Sequence, residues 1–171
     1  EPVKLAGYAS RTGLSQGIHD PLSARVVAFK CNDKYLILVS TDLIGFNNRT
    51  ADYLRKAVLD RFKFEPSELF LSAVHTHSGP SLTIDSKKGH PNNLKYTKTL
   101  KTKLIEAIQE ALNNMKSVDV GTGIGYCPIG ANRRQLDFDS SGNSSIKLGR
   151  NPYGPADKEV LVMRLTGPDG K

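Results

Sequence analysis

Leu69-Phe70-Leu71-Ser72-Ala73-Val74-His75-Thr76-His77-Ser78-Gly79-Pro80 is the stretch that decides the fold. An apolar run climbs to a His-x-His pair, and a Gly-Pro turn cuts it off. The pattern predicts a strand from Leu69 to His75. Residues two apart in an extended strand point to the same face. His75 and His77 are therefore expected to project together from a strand end, where ligands gather in α/β folds. Two neutral imidazoles side by side are a natural start to a transition-metal site. The chain has only four histidines, His19, His75, His77 and His90, so the pairing is conspicuous. A two-residue motif also arises as a surface pair satisfied by backbone carbonyls, and zinc sites usually draw on three or four protein ligands. Spacing alone leaves both readings open.

Outward from that stretch the chain alternates strands and helices. Ala24 to Lys30 and Lys34 to Thr41 are β-rich and joined by Cys31-Asn32-Asp33, a hairpin connection. The run Tyr35-Leu36-Ile37-Leu38-Val39 is continuously apolar, as expected of a central strand covered on both faces. Asn47 or Asn48 caps a helix reaching about Phe62, with Leu54, Ala57, Val58 and Phe62 on one stripe. A second helix shows Leu100, Leu104, Ile108, Leu112 and Met115 at helical spacing, and His90 lies in a surface loop at its start. Val118 to Tyr126 alternates as a half-buried strand, and Val160 to Thr166 is the last one. The polar, Gly- and Ser-rich stretch 137–157 is expected to be a long loop. Residues 1–23 form an irregular lead-in. The Pro-Asp-Gly turn after Thr166 calls for a hairpin partner beyond it, as in a piece of a longer protein. The expected fold is α/β, a mixed and largely buried sheet with helices packed against it.

With 171 residues, one domain buries about 70% of the surface that the unfolded chain exposes. The chain is 38% hydrophobic and 24% charged, ordinary values for a globular protein. No apolar run approaches the ~20 residues needed to cross a bilayer. The formal net charge is +7, much of it on Lys87, Lys88, Lys95, Lys98, Lys101 and Lys103. These lysines lack the interleaved aromatics of a stacking platform, so no nucleic-acid partner is expected. A solvated helix face accounts for them, with attraction to an anionic membrane surface as the second reading. Cys31 and Cys127 form no CxxC and are expected to be buried free thiols. Asn48-Arg49-Thr50 and Asn143-Ser144-Ser145 fit the common glycosylation pattern.

Several segments, in order, point to one family. Gly7-Tyr8-Ala9, Gln16-Gly17-Ile18-His19 and Ala24-Arg25 come first, followed by Val39-Ser40-Thr41-Asp42-Leu43-Ile44-Gly45. Ala73-Val74-His75-Thr76-His77-Ser78-Gly79-Pro80, Ala131-Asn132-Arg133 and Asp157-Lys158-Glu159-Val160 complete the series. Together they resemble the neutral/alkaline, non-lysosomal ceramidases over nearly the whole chain. The resemblance implies a zinc (Zn2+) amidohydrolase that cleaves the N-acyl bond of ceramide, giving a fatty acid and a sphingoid base. It implies that His75 is a zinc ligand and that His77 is the adjacent catalytic histidine. It implies that Arg133 lies at the substrate-binding site, and it puts Asp42 and His19 near the site. A partner carboxylate for a histidine is the role considered for Asp42, with turn capping as the structural alternative.

The family's other zinc ligands have no counterpart here. The resemblance therefore implies that residues 1–171 are the N-terminal portion of a catalytic domain, binding metal weakly and inactive alone. It also implies export to a secreted or periplasmic location, and the basic charge balance fits a substrate met at a membrane surface. The rival readings are a metallohydrolase of another amide or ester, and a non-catalytic domain binding a lipid or partner through 137–157.

Overall fold

The computed structural model describes residues 1–170 and, of Asn48, the backbone alone. The chain forms two compact units, Glu1–Met115 and Lys116–Lys171. The first unit contains β1 (Ala24–Cys31), β2 (Lys34–Thr41), α1 (Asn48–Phe62), a 3-10 turn (Pro66–Glu68), β3 (Leu69–Ala73) and α2 (Pro91–Asn113). The fold is mixed α/β, as expected.

β1 and β2 make an antiparallel hairpin from Ala24↔Thr41 to Cys31↔Lys34. Asn32 takes a φ of 52° in its turn, a backbone state that asparagine tolerates better than most side chains. β2 then pairs in parallel with β3, from Ile37↔Leu69 to Thr41↔Ala73. Parallel neighbours need a crossover, and α1 supplies it. Asn47 is the cap: its side chain accepts from the Thr50 amide at 3.0 Å. At the other end Lys63 is left-handed and its N–H closes on Leu59 O.

The helices cover one face of the sheet. Leu54 and Val58 of α1, and Leu100, Leu104 and Ile108 of α2, bury against Ile37, Val39 and Leu69. Each such side chain contributes about 2 kcal/mol by leaving water. The opposite face is where expectation and structure part. Val27, Leu38 and Phe70 lie in one row across it, with Phe29 and Leu36 in the next, yet Leu36 is 40% and Phe70 61% exposed. β2 is central in the sheet, but its continuous apolar run is fully buried on one face only.

The N-terminal segment, irregular as expected, is held by α2. Asn93 is 2% exposed. Its Nδ2 donates to Lys4 O at 2.8 Å and Ser81 O at 2.7 Å, and its Oδ1 accepts from Lys4 N at 2.8 Å. Ala6 N also donates to Gly79 O, and Ser81 N to Lys4 O. Residues 4–6 thereby lie along 79–81, on the far side of the histidine pair.

The second unit pairs β4 (Asp119–Tyr126) with β7 (Glu159–Thr166) and β5 (Asn132–Phe138) with β6 (Ser144–Asn151), both antiparallel. Four expectations are corrected here. The stretch 137–157 is no long loop. Most of it belongs to the β5–β6 hairpin, whose turn is organised by Asp139 accepting from the amides of Ser141 and Asn143. β4 is exposed along its length rather than half-buried. Of the cysteines, both free, Cys31 is exposed because it closes β1 at the hairpin turn, and Cys127 is half-buried. Met115 lies beyond the end of α2 and is 37% exposed.

Asn93→Leu removes the partner of Lys4 N and Ser81 O at the base of the lead-in, at about 1 to 3 kcal/mol each if left dry, while Lys4 O keeps its bond from Ser81 N. A loss of about 3 kcal/mol is expected in urea unfolding followed at 222 nm. Both helices belong to the first unit, so that signal reports on it. A loss below about 1 kcal/mol contradicts the role given to Asn93.

Candidate functional site

β3 ends at Ala73, two residues short of the predicted strand, but its pairing with the chain after β2 continues. Val74 N donates to Thr41 O at 3.1 Å, and Thr76 N to Leu43 O at 3.2 Å. Between these two bonds His75 has a φ of 65°. Such a φ is uncommon for a residue with a Cβ and costs about 1 to 3 kcal/mol unless its surroundings enforce it. Regular strand alternation is therefore broken at His75. The two rings nevertheless come together, with centroids 5.1 Å apart and planes at 68°.

The left-handed turn at His75 sends its ring back to the β2 side. Nδ1 lies 2.7 Å from Ile44 O. A carbonyl only accepts, so Nδ1 carries the proton, and in the neutral ring Nε2 keeps a free lone pair. This is the backbone-anchored tautomer common among metal-ligating histidines. His75 is exposed and His77 half-buried.

His77 is framed by the N-terminal lead-in. The Tyr8 ring stands 4.8 Å from it, nearly perpendicular at 78°. Arg11 Nη1 donates to His77 O at 2.8 Å. Gly7 has a φ of 77°, and a Cβ on it would run into the His77 ring. Glycine is required there for both reasons. Gly7 and Tyr8 figured in the sequence only as part of a family resemblance, and Arg11 not at all. Nothing in their spacing announces contact with a histidine some 70 positions on.

The other candidates of the first unit have different partners. Asp42 accepts from Ser23 N and Oγ at 2.9 and 2.7 Å and from Arg25 at 3.2 Å. It ties the start of β1 to the end of β2, a structural role other than the turn capping considered for it, and none of these bonds reaches either histidine. His19 is exposed beside Asp20, 2.7 Å away, and no hydrogen bond or ring contact joins it to His75 or His77. His90 caps α2, its Nδ1 accepting from Asn92 N at 3.3 Å. Arg133 belongs to the second unit, on β5, where its Nε donates to Gly149 O at 2.7 Å.

Among the described residues, no group of three or more His, Cys, Asp or Glu side chains converges as a metal site. Two imidazoles, one with a fixed tautomer, are donors of the kind zinc takes. They fit part of its sphere.

No family model matches the chain, and no curated protein does. Among solved structures, the neutral ceramidase from Pseudomonas aeruginosa superposes with a TM-score of 0.70 at 20% identity. The match covers 99% of this chain and 28% of that one. The likeness is one of fold. At this identity it carries the architecture without residue roles or chemistry. The chain spans little more than a quarter of that ceramidase.

Asp42 yields a pH test. The Ser23 hydroxyl first, then the Ser23 amide, hold its carboxyl below the usual range; Arg25 adds less, and desolvation opposes them. A carboxyl with a lower pKa folded than unfolded stabilises the fold above the unfolded value of about 3.9 and loses that contribution as pH falls through the folded value. Asp42→Asn is therefore less stable than the parent at pH 7, and the gap in melting temperature closes toward pH 2. A gap constant across that range contradicts the assignment.

Proposed function

We propose that residues 1–171 are the N-terminal portion of the catalytic domain of a zinc-dependent amidohydrolase. Its substrate is ceramide or a ceramide-like lipid, cleaved at the N-acyl amide to a fatty acid and a sphingoid base. One observation carries this reading. On a chain with the fold of a ceramidase segment, His75 is anchored through Nδ1 with Nε2 free, and His77 stands 5.1 Å away.

In this proposal His75 holds zinc through Nε2. Zinc, when bound, supplies Lewis acidity toward the amide carbonyl and lowers the pKa of a water toward neutrality. His77 is the catalytic residue that accepts and returns a proton, since imidazole as a group titrates near working pH. Its ring nitrogens make no hydrogen bond among the described residues. Arg133 commits Nε to Gly149 O, which leaves its terminal N–H groups for a substrate hydroxyl or the developing oxyanion.

One imidazole is a quarter of a four-ligand sphere. The chain alone is therefore proposed to bind zinc weakly and to be inactive, with the other ligands coming from further residues of a longer protein. The +7 charge suits a lipid substrate presented at an anionic surface. A secreted or periplasmic location goes with that reading.

Zinc titration by calorimetry tests it, on this chain and on the protein encoded by the full reading frame. Weak binding by the chain and tight one-to-one binding by the longer protein are expected, both abolished by His75→Ala. In the longer protein His77→Ala is expected to keep zinc and to lose about 10²- to 10⁴-fold in ceramide turnover. No specific zinc binding by either protein overturns the metal assignment. Intact turnover in His77→Ala overturns the proton-transfer role.

A further inference from the structure

Among the described residues, four other than glycine have a positive φ: Tyr8, Asn32, Lys63 and His75. Two have ordinary reasons. Asn32 makes the β1–β2 turn, and Lys63 ends α1. Tyr8, with a φ of 51°, makes neither. It is the first residue of the turn closed by Arg11 N on Tyr8 O, a position that asks nothing of φ. Tyr8 and His75 are also the two residues whose rings meet His77, from different sides of the chain. Backbone strain persists where surrounding structure over-determines it, and it clusters at functional sites.

Arg11 supplies the over-determination at Tyr8. Its Nη1 donates to Ala6 O at 3.2 Å and to His77 O at 2.8 Å. Its guanidinium also lies 4.9 Å from the centroid of the Tyr8 ring. One planar cation thus joins the lead-in segment at Ala6, the backbone of His77 and the aromatic ring against the His77 imidazole. A lysine has the charge but not the flat fork that serves two carbonyls and a ring together.

We infer that Tyr8 and Arg11 form a positioning clamp that fixes the His77 imidazole beside His75, with Gly7 leaving the room for it. The inference rests on the proposed role of His77 for its meaning in catalysis, while the clamp itself is a property of the metal-free chain. Neither residue touches substrate in this assignment. They act through His77, holding the ring where a free side chain would rotate away from its partner.

The test is a nuclear Overhauser contact between the His75 and His77 ring protons in the metal-free chain, where only four histidines contribute. The contact is expected in the parent and in Tyr8→Phe, which keeps the ring. It is expected to vanish in Tyr8→Ala and Arg11→Ala while the amide signals of β1 to β3 stay in place. Should Arg11→Ala fail to fold, Arg11→Lys serves instead, with the same loss expected. In the protein from the full reading frame, Arg11→Lys is expected to lower kcat about 10- to 100-fold with little change in KM. A contact that survives in Tyr8→Ala and in the arginine variants overturns the clamp, as does its loss in Tyr8→Phe. If the contact behaves as expected but zinc does not bind, the clamp stands and the metal assignment falls.

Discussion

The parallel pairing of β2 with β3, and its continuation beyond the last strand residue, is the constraint on which the histidine site depends. Thr41 Oγ1 donates to Ser72 O and Ser72 Oγ to Val39 O, both within 3.0 Å. These side-chain bonds reinforce the register at the end of the ladder. Val74 and Thr76 then extend the ladder along Thr41 and Leu43. A shift of one residue would exchange the faces of β3, bringing Phe70 to the core in place of Leu69. It would also move Nδ1 of His75 away from Ile44. The core and the tautomer of His75 therefore share one register.

The His75 conformation follows from the same constraint. A φ of 65° costs about 1 to 3 kcal/mol, and the Nδ1 bond to Ile44 returns about 0.5 to 1.5 kcal/mol. That bond alone does not hold the residue there. The flanking amide bonds of Val74 and Thr76 do the rest, since they fix the chain on both sides. Along the other side of the pair, residues 4–6 lie beside 79–81 and Asn93 secures both. The site is thus a short segment held between two backbone pairings, each anchored in the first unit.

Much of this was legible in the sequence because it is local. The β1–β2 hairpin is written in two apolar runs and an Asn-Asp turn. Asn47 and the stripe Leu54, Val58 define α1, and Leu100, Leu104 and Ile108 define α2. The His-x-His stretch announces a histidine pair by itself. What failed to show was either distant or polar. The β5–β6 hairpin hid behind serines, glycines and prolines, although Leu136 and Phe138 alternate on β5, Ile146 and Leu148 alternate on β6, and Leu136 pairs with Ile146. The apolar run in β2 gave the strand its central place in the sheet, but it carries no information about how many layers lie on each face. Asp42 looked like a partner for a histidine because it ends a strand near the motif. Its actual partners, Ser23 and Arg25, are reached through the β1–β2 pairing. Arg11 had no signature at all, since its role exists only once residues 6 and 77 are brought together.

Fold and chemistry separate at the same place. The architecture is shared with a segment of a neutral ceramidase at 20% identity, and an architecture can host many reactions. The local geometry at the pair is distinctive in its own right. A histidine kept for packing would be buried and would not need a left-handed backbone. A surface histidine without a role would relax to an ordinary φ and a mobile ring. His75 does neither: it is exposed, strained and committed through one nitrogen, with the other left free. His77 beside it is half-buried yet makes no ring hydrogen bond among the described residues, while the Tyr8 and His75 rings lie against it and Arg11 bonds its carbonyl. Together they are a paired-imidazole arrangement that the register of β2 and β3 and the bonds of Val74 and Thr76 hold in place.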